Sequence, residues 1–99
     1  MTVTVHSRGK YIFLYGDHLP TLRHEVPRRN KFFKEELRLF REELVSWMCG
    51  KRCDELVVYK PPAMSFYRRA LYHAIFKALQ RQDGLVLIKT YKEESHVIR

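Results

Sequence analysis

Two adjacent prolines, Pro61 and Pro62, separate two incompatible patterns in the second half of this chain. Before them, ELVVYK at 55–60 is a short β-branched run that suits a strand. Proline cannot donate to a ladder, so that strand ends here or lies at a sheet edge. After them, residues 65–82 (SFYRRALYHAIFKALQRQ) repeat with a helical period. Ser65 offers its hydroxyl to the exposed amides of the first turn. At 100° per residue, Tyr67, Leu71, Ala74, Ile75, Ala78 and Leu79 gather on one side as the core face. Arg69, His73, Phe76 and Gln80 fall on the opposite side, flanked by Lys77. Arg69 and His73 stand four residues apart, so their side chains lie one above the other.

A second helix is expected at 31–49. Phe33, Leu37, Phe40, Leu44 and Met48 recur at helical spacings, and Val45 and Trp47 widen the stripe. Asn30 suits the N-cap, and Gly50 suits a left-handed stop followed by Lys51 and Arg52. Arg38 can pair with Glu35 and Glu42 on the outer face. Asp83-Gly84 signals a turn after the Arg69/His73 helix, LVLIKTY at 85–91 reads as a strong strand, and SHVIR at 95–99 reads as a last one. The start of the chain is less regular. Residues 1–9 alternate but are polar, which suggests an extended arm. KYIFLY at 10–15 suits a strand packed on the core, and the proline-containing stretch 16–29 reads as a connecting loop.

The expected architecture is therefore α+β. Residues 1–29 form an N-terminal extension, and residues 30–99 form a domain running helix, strand, helix, strand, strand. Two main helices would cover one face of a small three-stranded sheet.

The chain has 99 residues, enough for one domain with a core of its own. Its formal charge is +8, and residues 60–99 hold eight cations against three anions. That excess favours a polyanionic partner. Cys49 and Cys53 are too few for a disulfide framework, and CGKRC lacks the four ligands of structural zinc. Reduced thiols point to an intracellular protein. No apolar run reaches the roughly 18 residues that span a membrane, and the first residues lack the apolar core of a signal peptide.

The run PPAMSFYRRALYHAIFKAL resembles the R-3-H domain, whose name describes an Arg and a His separated by three residues. Here they are Arg69 and His73. The leading helix, the strand running into Pro61-Pro62, the serine at the helix start and the closing strands extend the resemblance over residues 30–99. It implies a small α/β domain with helices on a three-stranded sheet. It also implies binding of single-stranded DNA or RNA through the phosphate backbone, without catalysis. Phe76 stands where that family usually carries a small residue, which implies extra packing against residues 10–15. The turn at 92–95 lacks the family's usual glycines.

The binding residues expected on this reading are Arg69, His73, Arg68, Lys60, Lys77 and Phe76. Arginine forks match phosphate oxygens, and bases stack on aromatic or guanidinium planes. No catalytic residue, metal or cofactor is expected, since no carboxylate lies near His73 in sequence and no metal box appears. A nuclear or cytoplasmic location suits such a module, the nucleus first. The alternative is a protein-interaction domain of a larger nucleic-acid-associated protein, using residues 10–29 and Trp47.

Overall fold

The structure, a computed structural model, describes residues 1–27, 31–80 and 87–92. The Asn30 cap, the Asp83-Gly84 turn, the first two residues of the 85–91 run and the 95–99 strand lie outside the described residues.

The architecture is α+β, but its sheet has five strands, not three. In chain order these are β1 (Thr2–Arg8), β2 (Tyr11–Gly16), β3 (Leu22–Glu25), β4 (Glu55–Lys60) and β5 (Leu87–Lys92). Two helices, α1 (Phe33–Met48) and α2 (Phe66–Gln80), complete the fold. The spatial strand order is β3-β2-β1-β4-β5. β1 is antiparallel to β2 and β2 to β3, whereas β1 is parallel to β4 and β4 to β5. The sheet is mixed, with β1 at its centre.

The expected N-terminal extension therefore supplies three of the five strands. The strand expected at 10–15 is β2, whereas the extended arm at 1–9 and the loop at 16–29 give way to β1 and β3 for a physical reason. TVTVHSR carries only two valines, and its polar alternation resembles an exposed arm. In a strand whose other face stays open, Val3 and Val5 are all the core face needs, and both are fully buried. The turn into β2 follows the same logic. Arg8 pairs with Tyr11, leaving Gly9 and Lys10 as a two-residue loop. Gly9 has φ of 59°, the positive value that primed hairpin turns demand at their first central position. The segment expected to be a loop at 16–29 contains β3. Leu22 and His24 alternate with Arg23 and Glu25, and the His24 ring lies 4.4 Å from Phe40 of α1.

Both helices lie on one face of the sheet, as expected. The core joins Val3, Val5, Ile12, Leu14, Leu56 and Val58 from the strands to residues of both helices. From α1 come Phe40, Leu44, Trp47 and Met48, and from α2 come Leu71, Tyr72, Ala74, Ile75 and Leu79. Val45 does not widen the α1 stripe, because it is 61% exposed. Arg38 reaches Glu35 and, at 2.7 Å, Glu42, as its spacing predicts. Cys49, with φ of 51°, takes the left-handed C-cap position, and Gly50 follows at 73°. The Trp47 indole donates to the Pro20 carbonyl at 2.6 Å, which pins the β2–β3 loop on α1. Gly16 leaves room at that point: a Cβ there would lie 2.9 Å from the Leu19 side chain and 3.2 Å from the Trp47 ring, so both would have to shift.

Two outcomes follow. A fragment comprising residues 30–99 removes the strand that β4 pairs with on one side. It shows no cooperative thermal transition by circular dichroism, while the full chain melts in one step; a cooperative melt of the fragment contradicts the five-stranded fold. Cys49 is exposed and Cys53 is buried, and burial holds the Cys53 thiol above its ordinary pKa. An aromatic disulfide reagent therefore titrates one thiol in the native protein and both in denaturant.

Candidate functional site

Two residues fix the roll of α2 against the sheet. Arg68 is half-buried, and its guanidinium donates to the Gly9 carbonyl at 2.6 Å and the Tyr11 carbonyl at 3.3 Å. Tyr72, one turn further and buried, lies 2.6 Å from the Ser7 hydroxyl and donates to the Tyr59 carbonyl at 3.2 Å. Residues four apart share a helix face, so this inner pair ties one face of α2 to the β1–β2 turn and to β4. One residue on, about 100° around the helix, Arg69 and His73 are both exposed. Ser65 starts the helix as expected, accepting from the Arg68 amide at 3.2 Å.

The charge at this helix start runs against the helix dipole. The first turn of α2 contains no acid, yet it carries Arg68 and Arg69. A cation at the positive end of a helix is disfavoured by about 0.3–1 kcal/mol at the surface. The carbonyl contacts of Arg68 offset that cost. Among the described residues, no hydrogen bond or ion pair does the same for Arg69. An anion placed at this end would.

The strand ends add to the same edge. At this edge the described spans of the three mutually parallel strands β1, β4 and β5 reach Arg8, Lys60 and Lys92. Register sets Lys60 beside Lys92, and like charges so placed repel. A cavity of about 490 Å³ opens here, with His6, Arg8, Pro61, Pro62 and Arg68 on its wall and no carboxylate among its described lining residues. The carboxyl ends of parallel strands, facing the start of the following helix, are where α/β sheets generally bind ligands.

The expected site residues divide accordingly. Arg69, His73 and Lys77 are exposed on the outer surface of α2. Lys60 is half-buried at the end of β4, and Arg68 turns inward to the β1–β2 turn. Phe76 is half-buried and packs against the core cluster to which Ile12 and Leu14 also belong.

Sequence reasoning passes over Arg8 and Lys92, which only the parallel register brings to this edge. It also passes over the rings of β2. YIFLY alternates aromatic and aliphatic residues, and a strand sends the two kinds to opposite faces. Ile12 and Leu14 enter the core, while Tyr11, Phe13 and Tyr15 stand on the open face.

A second cavity, of about 510 Å³, lies between β3 and α1. Glu25, Glu36 and Glu43 line it beside Lys10, His24 and Leu39, and His24 Nδ1 is 3.5 Å from Glu43. Three carboxylates make it a poor seat for phosphate. No family model, curated protein or solved structure matches this chain.

The neighbouring arginines of α2 should separate in a thermal melt. Arg68→Ala removes two guanidinium–carbonyl hydrogen bonds and lowers stability by about 1–3 kcal/mol. Arg69→Ala changes stability by less than about 0.5 kcal/mol, as for an exposed side chain with no partner among the described residues. Equal losses would contradict the assignment of Arg68 to the inner face and Arg69 to the outer.

Proposed function

We propose that this chain is a non-catalytic module that binds single-stranded DNA or RNA through the phosphate backbone. The observation that carries the reading is the cationic edge where β1, β4 and β5 carry Arg8, Lys60 and Lys92, beside the Arg68/Arg69 turn of α2. Phosphates contribute most of the affinity in such sites and fix the position of the strand. Arg69 offers a planar fork to phosphate oxygens, and Lys60 and Lys77 act as point charges. His73, one turn from Arg69, adds a ring nitrogen to the same surface. The likeness of residues 30–99 to the R-3-H domain, through Arg69 and His73, supports the same ligand class. No metal or cofactor enters this reading. An intracellular setting, the nucleus before the cytoplasm, accords with two cysteines that form no disulfide. Among the described residues, no helix is long and apolar enough to cross a membrane.

A protein-interaction role is the second reading. The acid-lined groove between β3 and α1, with Leu39 51% exposed beside it, favours a protein segment there over a nucleic acid.

Fluorescence anisotropy with a labelled single-stranded oligonucleotide separates the two. Binding at low salt is expected to weaken as salt rises. Arg69→Ala and Lys60→Ala each reduce affinity and flatten the log–log salt slope by about 0.7 for every phosphate the variant no longer neutralises. Absence of binding at low salt, or an unchanged slope in both variants, overturns the proposal.

A further inference from the structure

The open face of the sheet carries a row of rings that the fold does not use for its core. β2 presents Tyr11, Phe13 and Tyr15 there, and β1 presents His6 between the last two. The His6 ring lies 5.4 Å from Phe13 and 5.2 Å from Tyr15, with planes within 18° and 8° of parallel. Phe13 and Tyr15 are themselves within 10° of parallel, so the three rings share nearly one orientation. A hydrogen bond of 3.0 Å between His6 Nε2 and the Tyr15 hydroxyl holds two of them in place. Across the sheet, Tyr59 and Tyr91 form a second stacked pair at 5.3 Å. Both helices pack on the other face, and neither covers these rings.

The charges on this face select the occupant. Among the described residues, Glu55 on this face pairs with Lys89 at 3.3 Å, and Glu25 at the β3 edge pairs with Lys10 at 3.4 Å. Among the described residues, Arg8 and Arg23 have no acidic partner, and the Arg23 guanidinium lies 4.9 Å from the Tyr11 ring centre. The surplus is positive, and it sits among rings. An apolar protein surface would leave both arginines desolvated without a counter-charge. A nucleic acid strand supplies bases for the rings and phosphates for the arginines.

The face is also continuous with the cationic edge, because His6 and Arg8 line the cavity at that edge. We infer that the open face of the sheet is a base-stacking platform for single-stranded nucleic acid, with Phe13, Tyr15 and His6 at its centre and Arg8 and Arg23 at its margins. The inference rests on the phosphate-binding reading above and adds to it the part of the ligand that is recognised. The Phe13 and Tyr15 ring centres are 6.5 Å apart, roughly twice the ~3.4 Å rise along a duplex strand. A paired duplex turns its bases inward, so rings on an open face are reached by an extended single strand.

Two probes of equal length separate bases from phosphates: a labelled oligothymidylate and an abasic deoxyribose-phosphate oligomer. Phe13→Thr keeps strand propensity and removes a ring. It weakens oligothymidylate binding by about 5- to 100-fold, the equivalent of roughly 1–3 kcal/mol per stacked base, and leaves abasic binding unchanged. Arg69→Ala weakens both probes. If Phe13→Thr leaves oligothymidylate affinity unchanged, or weakens both probes equally, the platform is refuted while the phosphate-binding reading stands. If Arg69→Ala is silent and Phe13→Thr is not, the platform stands and the assignment of the α2 surface fails. If neither probe binds the wild type at low salt, both fall. Should Phe13→Thr lose its thermal transition, two measurements replace it. Tyr15→Thr, at a residue 40% exposed, must show the same selective loss. Ultraviolet cross-linking of the wild type must attach the strand to residues 11–15. Failure of either refutes the platform.

Discussion

The parallel ladder between β1 and β4 is the contact on which the other features depend. It sets Thr2 through Val5 beside Glu55 through Val58, and so joins an N-terminal antiparallel meander to a C-terminal strand–helix–strand unit. Val3, Val5, Leu56 and Val58 then form the floor of one core under both helices. The same pairing aligns the carboxyl ends of β1, β4 and β5. Without it, Arg8 would belong to a loose arm and the cationic edge would lack one of its three strand ends.

Helix α2 translates that frame into a surface. Its inner residues, Arg68 and Tyr72, bond to backbone carbonyls of Gly9, Tyr11 and Tyr59 and so set the rotation of the helix. The outer pair, Arg69 and His73, is exposed as a consequence. Arg68 and Arg69 are adjacent in sequence and opposite in role. One holds the helix to the sheet; the other has no structural partner among the described residues and faces the helix N-terminus as an uncompensated charge. The open sheet face, by contrast, owes its exposure to helices that both occupy the other side.

The helices and β4 are readable in the sequence because their patterns are local. A stripe at three and four, a serine at a helix start and a β-branched run before two prolines need no distant partner to be recognised. β1 is not readable in that way. Two valines in a polar alternation make a strand only when a neighbour supplies ladder bonds on each side, and those neighbours are β2 and the distant β4. β3 is shorter still, and its register against β2 is what aligns it. At the site, the spacing of Arg69 and His73 is visible, but the inward turn of Arg68 is not, since it depends on carbonyls 57 and 59 residues away. The half-burial of Phe76 follows from the same tertiary packing. The aromatic row is visible in YIFLY as a period of two; it is masked because an all-apolar strand reads as core on both faces.

The central claim is that one edge and one face of this domain receive a single nucleic acid strand. A chemical-shift titration with a short single-stranded oligonucleotide tests it most directly, because it reports binding and location together. The account predicts perturbations that cluster at Arg8, Lys60, Arg69 and His73, and that run on to His6, Phe13 and Tyr15. Unchanged spectra, or perturbations confined to the Glu25/Glu36/Glu43 groove between β3 and α1, would contradict it.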